Sequence, residues 1–217
     1  MASTAPAPFD FPREYFFPAF FTRQTNLTTL HAQLLKWSSL ILAYCKHHRI
    51  FKLSLSSSVP ASSATATLAA STTTTTTTTN NGSDAPPSST AAAEELFYNK
   101  KLDRRLALAD VREVIDFMRK DGRAEYVGGA GATAGDVVWI YWRTPEEWAA
   151  LVEAWVDETA QKGTVLTLYE LTEGEATRGT EFHGLDPDLL QKALSILVKR
   201  GKAQIFGQED SQGVKFF

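Results

Sequence analysis

Four histidines, His31, His47, His48 and His183, are the side chains best fitted by type to move protons or ligate a metal near neutral pH. Such chemistry needs company, either a nucleophile beside a base or several ligands converging on one point. His31, His47 and His48 fall on or just after an amphipathic run, where a solvated or half-buried imidazole is the ordinary outcome. His183 follows Glu173, Glu175 and Glu181, which would allow a metal-assisted hydrolase, but Thr172 to Gly184 has the polarity of a solvated loop. The single cysteine, Cys45, cannot close an internal disulfide and lies in an apolar run, so a buried structural thiol in a cytosolic or nuclear protein is expected. The glycines from Gly128 to Gly135 follow a strand pattern without opening a helix, which suits a turn and not a phosphate cradle. No catalytic residue, metal ligand or cofactor is assigned.

The residues that do call for a partner are aromatic. Phe9, Phe11, Tyr15, Phe16, Phe17, Phe20 and Phe21 are interleaved with Pro8, Pro12 and Pro18. This composition predicts an extended, low-entropy arm carrying large apolar side chains, part of it folding back on the domain that follows. A small module can hardly cover all of these rings, and an exposed aromatic patch of that size marks a protein-binding surface.

The elements that must position the arm follow from periodicity. Leu27, Leu30, Leu34, Trp37, Ile41, Tyr44 and Cys45 recur at helical spacing and predict a long amphipathic helix. From about Ser54 to Ala93 the sequence is Ser, Thr and Ala, with an unbroken run from Thr72 to Thr79, and is expected to be a disordered insertion within a domain. Leu96-Phe97-Tyr98 then precede a helix carrying Val111, Val114, Ile115 and Met118, closed by Gly122. Two strand patterns, Ala124 to Val127 and Val137 to Trp142, form a hairpin around the glycine turn. Thr144, Pro145 and Glu147 give the signature of a capping box, opening a helix with Trp148, Leu151, Val152, Trp155 and Val156 on one face. A short strand at Val165 to Leu168, a helical turn near Leu171, and a helix from Asp186-Pro187 to Gly201 complete the chain with a last hairpin. Lys120-Asp121-Gly122-Arg123-Ala124 and Lys199-Arg200-Gly201-Lys202-Ala203 repeat one helix-to-strand junction. The predicted fold is therefore α+β, mainly helical: two tandem winged-helix domains, each of three helices plus a β-hairpin wing. The predicted organisation is a docking arm at 1–24, a first domain at 25–143 and a second at 144–217.

Bulk properties narrow the function. The chain has 217 residues, 43% of them hydrophobic, enough for two modest cores. Its formal charge of −3 provides no field that would gather nucleic acid or anionic lipid. Winged helices often read DNA with the third helix, yet the first such helix carries Asp110, Glu113, Asp116 and Asp121 against Arg112, Arg119 and Lys120. The second begins with Asp186 and Asp188, so no nucleic-acid binding is expected. No apolar run reaches the roughly 20 residues needed to span a bilayer.

Five blocks then carry a resemblance. They are Phe11 to Thr22, Trp142-Arg143-Thr144-Pro145-Glu146-Glu147-Trp148, Thr167 to Glu175, Glu181-Phe182-His183-Gly184-Leu185, and the terminal Gly213-Val214-Lys215-Phe216-Phe217. Together they resemble the small winged-helix subunits of the ESCRT-II endosomal sorting complex. The resemblance implies a non-enzymatic subunit, present in two copies per complex, whose proline-aromatic arm docks on the other two ESCRT-II subunits. It also implies that the second winged helix engages the ESCRT-III subunit that initiates polymer assembly. Pro12, Tyr15, Pro18 and Phe21 match the family's docking motif, and Phe20 lies in the same block. Phe11 and Ala19 stand where relatives often carry proline. A cytoplasmic protein recruited to endosomes only indirectly, through its partners, is the localisation implied.

Overall fold

A computed structural model of the chain describes residues 8–55, 89–128, 135–207 and 212–217. The threonine tract and the tip of the first wing lie outside the described residues. Contacts divide the chain into two compact units after Ile140.

In the first unit, helix α1 (Leu27–His48) begins where the Asn26 side chain accepts from the Thr28 and Thr29 amides. It ends in a cationic turn, with Arg49 in the left-handed conformation at φ 55°. Leu30, Trp37, Ile41, Tyr44 and Cys45 are buried as the periodicity predicts, together with Gln33, Ser38 and Leu40. Leu27 departs from the expected stripe. It is 80% exposed, in a first turn that extends beyond the packed part of the helix beside exposed Thr28 and Thr29.

Strand β1 (Lys52–Ser54), helix α2 (Ser89–Phe97) and the ribbon β2 (Tyr98–Asn99) and β3 (Arg104–Arg105) follow. Helix α3 (Leu108–Lys120) and strands β4 (Ala124–Tyr126) and β5 (Val137–Ile140) complete the unit, with antiparallel sheet order β1-β5-β4. Ordered structure thus enters both ends of the expected insertion. Ser54 pairs with Val137, the Leu55 amide donates to the Asp136 carbonyl, and Ala92 and Ala93 are fully buried. Composition misplaced these edges because alanine, grouped there with low-complexity sequence, is also the strongest helix former and is small enough for α2 to seat against β1.

The second unit repeats the plan with helix α4 (Pro145–Glu158), strand β6 (Val165–Thr167), helix α5 (Leu168–Glu173), helix α6 (Pro187–Lys199) and strands β7 (Ala203–Phe206) and β8 (Gly213–Phe216). Its sheet order is β6-β8-β7, the same arrangement as in the first unit. The predicted capping box is present: Thr144 Oγ1 accepts from the Glu147 amide at 3.3 Å, and Glu147 Oε2 accepts from the Thr144 amide at 2.6 Å. A second one joins Thr167 and Glu170 at the start of α5. Trp148, Val152, Trp155 and Val156 of α4 pack against Leu189, Leu190, Ala193, Leu194 and Leu197 of α6.

The duplicated junction has the same geometry in both units. Gly122 and Gly201 adopt φ +68° and +70°, and the amides of Arg123 and Lys202 bond back to Met118 and Leu197. Each unit is three helices with a three-stranded antiparallel sheet, a winged helix.

Candidate protein-docking site

The arm is not an extended strand. It forms two successive 3-10 turns, Arg13–Phe16 and Pro18–Phe21, separated by extended Phe17. Proline favours this, because Pro12 sits at φ −64° before the first turn and Pro18 opens the second where no amide is needed. The amides of Tyr15, Phe17, Phe20 and Thr22 each bond three residues back, to Pro12, Glu14, Phe17 and Ala19.

Two turns in this order sort the rings into buried and exposed ones. Tyr15, Phe20 and Phe21 are buried against the arm's own domain. Phe20 stacks on Trp37 with centroids 4.4 Å apart and planes 6° from parallel, and Phe21 meets Trp37 edge-on at 5.4 Å. Phe11 stacks on Tyr15 at 4.1 Å. Phe16 and Phe17, by contrast, are 44% and 62% exposed, and Pro12 and Pro18 are exposed as well. Of the five site residues read from the sequence, Pro12 and Pro18 therefore face outward, while Tyr15, Phe20 and Phe21 anchor the arm.

Polar contacts fix the register. Tyr15 Oη donates to the Glu95 carbonyl at 2.7 Å, and Asn99 Nδ2 donates to the Tyr15 carbonyl at 2.7 Å. Trp37 Nε1 donates to the Phe20 carbonyl at 3.0 Å, and Lys36 pairs with Glu14 at 2.7 Å on the surface. Tyr44 Oη donates to Glu95 Oε2 at 2.6 Å. Burial, reinforced by Glu95, pushes both phenols well above the usual tyrosine range, so they remain donors. Gln33 and Asn99 carry no chemical motif. The one sequence signal for Gln33 was its place between Leu30 and Trp37, on the buried stripe.

Recesses flank the arm. One of about 510 Å³ lies over α1 between Phe9, Phe11, Pro12, Leu35, Leu40 and Ala43. Another of about 450 Å³ lies on the opposite side, between Phe16, Glu94, Tyr98 and Lys101. Exposed rings beside apolar hollows can accept, and insert into, a partner surface.

The second unit exposes apolar side chains of its own. Register puts Val165, Thr167, Gly213, Lys215, Gln204 and Phe206 on one face of the sheet, opposite Leu166, Val214 and Phe216. A Cβ at Gly213 would meet Val165 Cγ1 at 3.1 Å, so the Val165 side chain leans across that bare position. Val165 and Phe206 are exposed, as are Tyr169 on α5 and the terminal Phe217.

The histidines are scattered. His31 lies edge-on to Phe117, His183 Nδ1 is 3.1 Å from Thr177 Oγ1, and His47 and His48 neighbour each other under Phe9. Among the described residues no group of three His, Cys, Asp or Glu could hold a metal ion. Cys45 is fully buried, and burial pushes its thiol far up. On α3, Arg112 and Arg119 already pair with Asp136 and Asp116, which leaves little positive charge for phosphates. Among the described residues no helix is long and apolar enough to cross a membrane.

Comparison with known proteins gives these surfaces a context. A family model described as "ESCRT-II complex subunit" matches residues 14–186. The chain is 35% identical to vacuolar protein-sorting-associated protein 25 of Homo sapiens, over 96% of this chain and 98% of that one. Its identity to the Xenopus laevis protein of the same name is 34%, covering 96% and 99% of the two chains. The Dictyostelium discoideum protein is 31% identical, covering 96% of each chain. A crystal structure of subunit VPS25 of the endosomal trafficking complex ESCRT-II shares the fold at a TM-score of 0.72 and 24% identity, covering 95% of this chain and 98% of that one. A chain in the crystal structure of the endosomal complex ESCRT-II (VPS22/VPS25/VPS36) aligns with a TM-score of 0.70 and 25% identity, covering 94% and 98%.

Proposed function

Because the chain belongs to the ESCRT-II complex subunit family, a family of complex subunits and not of enzymes, we propose that its arm docks it on the other two ESCRT-II subunits. The observation that carries this reading is the two-sided arm. Tyr15, Phe20 and Phe21 hold it to the first unit, while Pro12, Phe16, Phe17 and Pro18 are left exposed, with apolar recesses beside Pro12 and Phe16. A solvent-facing set of rigid rings and prolines loses little entropy on binding and carries large apolar area, which is how binding hot spots are built. That a chain of the endosomal complex ESCRT-II (VPS22/VPS25/VPS36) shares this fold supports the reading that the partners are the counterparts of VPS22 and VPS36.

In this reading two copies join each complex, and the second unit engages the initiating ESCRT-III subunit. The exposed sheet face bearing Val165, Phe206 and Lys215, with Phe217 beside it, supports that assignment. Reaching the endosome then requires no anchor of the chain's own, since its partners bring it there. The chain contributes to sorting of ubiquitinated cargo into multivesicular bodies as an assembly part.

Co-expression with the two other subunits, followed by gel filtration and sedimentation, tests the proposal. The intact chain should co-elute at a ratio of two copies to one of each partner, and an intact chain eluting alone would contradict it. Phe206→Asp should leave that assembly unaltered while weakening capture of the ESCRT-III subunit.

A further inference from the structure

Among the described residues, five polar side chains are buried, and two of them, Gln33 and Asn99, direct their amides at the arm. Gln33 lies on α1, 8% exposed. Its Nε2 donates to the Phe20 carbonyl at 2.8 Å and the Thr22 carbonyl at 2.9 Å, with the Ala19 carbonyl farther off at 3.4 Å. A carboxamide has two N–H bonds, so the two short contacts use both. Trp37 Nε1 meets the same Phe20 carbonyl, and Gln24 brackets Ala19 and Thr22 from the solvent side at 3.0 and 2.8 Å. The Ala19 carbonyl also accepts from the Thr22 amide, which closes the 3-10 turn, whereas the Phe20 and Thr22 carbonyls lie at its C-terminal end, where backbone donors run out. Ring stacking alone would let Phe20 slide over Trp37; directional bonds to the Phe20 and Thr22 carbonyls forbid that motion.

We infer that Gln33, seconded by Trp37 Nε1, is a positioning residue for docking: it sets the second turn of the arm before any partner arrives. Phe17 and Pro18 are thereby displayed as a rigid surface, and affinity depends on a side chain that does not reach it. The inference rests on the docking reading above and adds that the arm is ordered in advance. Holding a segment in its bound shape removes the ordering cost that a loose peptide would meet on association.

Two substitutions in the full-length chain test this. Gln33→Met keeps length and bulk without N–H groups, and Trp37→Phe keeps a stacking ring without its donor. Amide exchange in the free chain should quicken at Phe20 and Thr22 while α3 and β5 stay protected. Affinity for the co-purified pair of other ESCRT-II subunits should fall about tenfold in each variant. A purely structural role would instead raise exchange throughout the first unit and leave association unchanged below the melting temperature; either result overturns the inference. Variants that bind as tightly as the parent despite a loosened arm overturn it too. Failure of the parent chain itself to bind overturns the docking reading, and the inference with it.

Discussion

At the scale of single residues, two positions test how closely the duplicated units agree. Gly122 and Gly201 occupy the left-handed region, where a Cβ meets the neighbouring carbonyl although no other atom lies within 4 Å. Gly122→Ala and Gly201→Ala should each cost about 1 kcal/mol in urea unfolding, and an unchanged midpoint would show that the junction relaxes freely. His48 makes a pH-dependent prediction. Burial, and then His47, holds its imidazole below the ordinary value of 6.5, with Glu95 opposing. The unfolded chain therefore binds more protons as pH falls through about 6.5, so stability is full above that value and declines below it. His48→Gln should flatten the loss of stability between about pH 7.5 and pH 5.5, and an unaltered slope would assign the loss elsewhere. Gly122 and Gly201 were legible because glycine just after a helical stripe has one common purpose. Gln33 and Asn99 were not, since a carboxamide acquires its role only from carbonyls that the fold brings to it.

At the scale of elements, caps were the most legible feature. Thr144, Pro145 and Glu147 announced α4 because the cap closes within four consecutive residues. Thr144→Ala should cost about 1 kcal/mol, measurable by thermal unfolding. The arm was misjudged as extended because its turns are stabilised by partners distant in sequence, Trp37, Gln33 and Asn99, which no local pattern reveals. Strand β1 was missed, and the start of α2 misplaced, for a related reason: a three-residue strand and the alanine-rich first turns of a short helix disappear into the serine-threonine composition beside them. The two-sided arm predicts a contrast between neighbouring phenylalanines. Phe20→Ala, which empties the stack on Trp37, should destabilise the first unit by roughly 3–5 kcal/mol, whereas Phe17→Ala, at an exposed position, should change stability by less than about 0.5 kcal/mol. Equal effects on unfolding would show that the arm is not sorted into an inner and an outer side.

At the scale of the whole molecule, the chain is two copies of one small scaffold, each displaying a different exposed surface. The first unit carries the exposed rings of the arm, and the second carries the outer face of its sheet. Winged helices that bind nucleic acid present a positive third helix, but here the arginines of α3 are paired with carboxylates and Asp186 caps α6. The carboxylates that pair with those arginines or cap α6 were legible in the sequence, their contacts only in the fold. The outward faces were not, because periodicity tells which side of a strand is buried only once its register with neighbours is known. The most direct test is calorimetric titration of the two other ESCRT-II subunits with the parent chain and with a Phe16→Ser, Phe17→Ser double variant. The variant should keep the parent's melting temperature and lose at least about 2 kcal/mol of binding, roughly thirtyfold in Kd. Equal affinity for the two proteins would contradict the assignment of the arm's exposed rings as the docking surface.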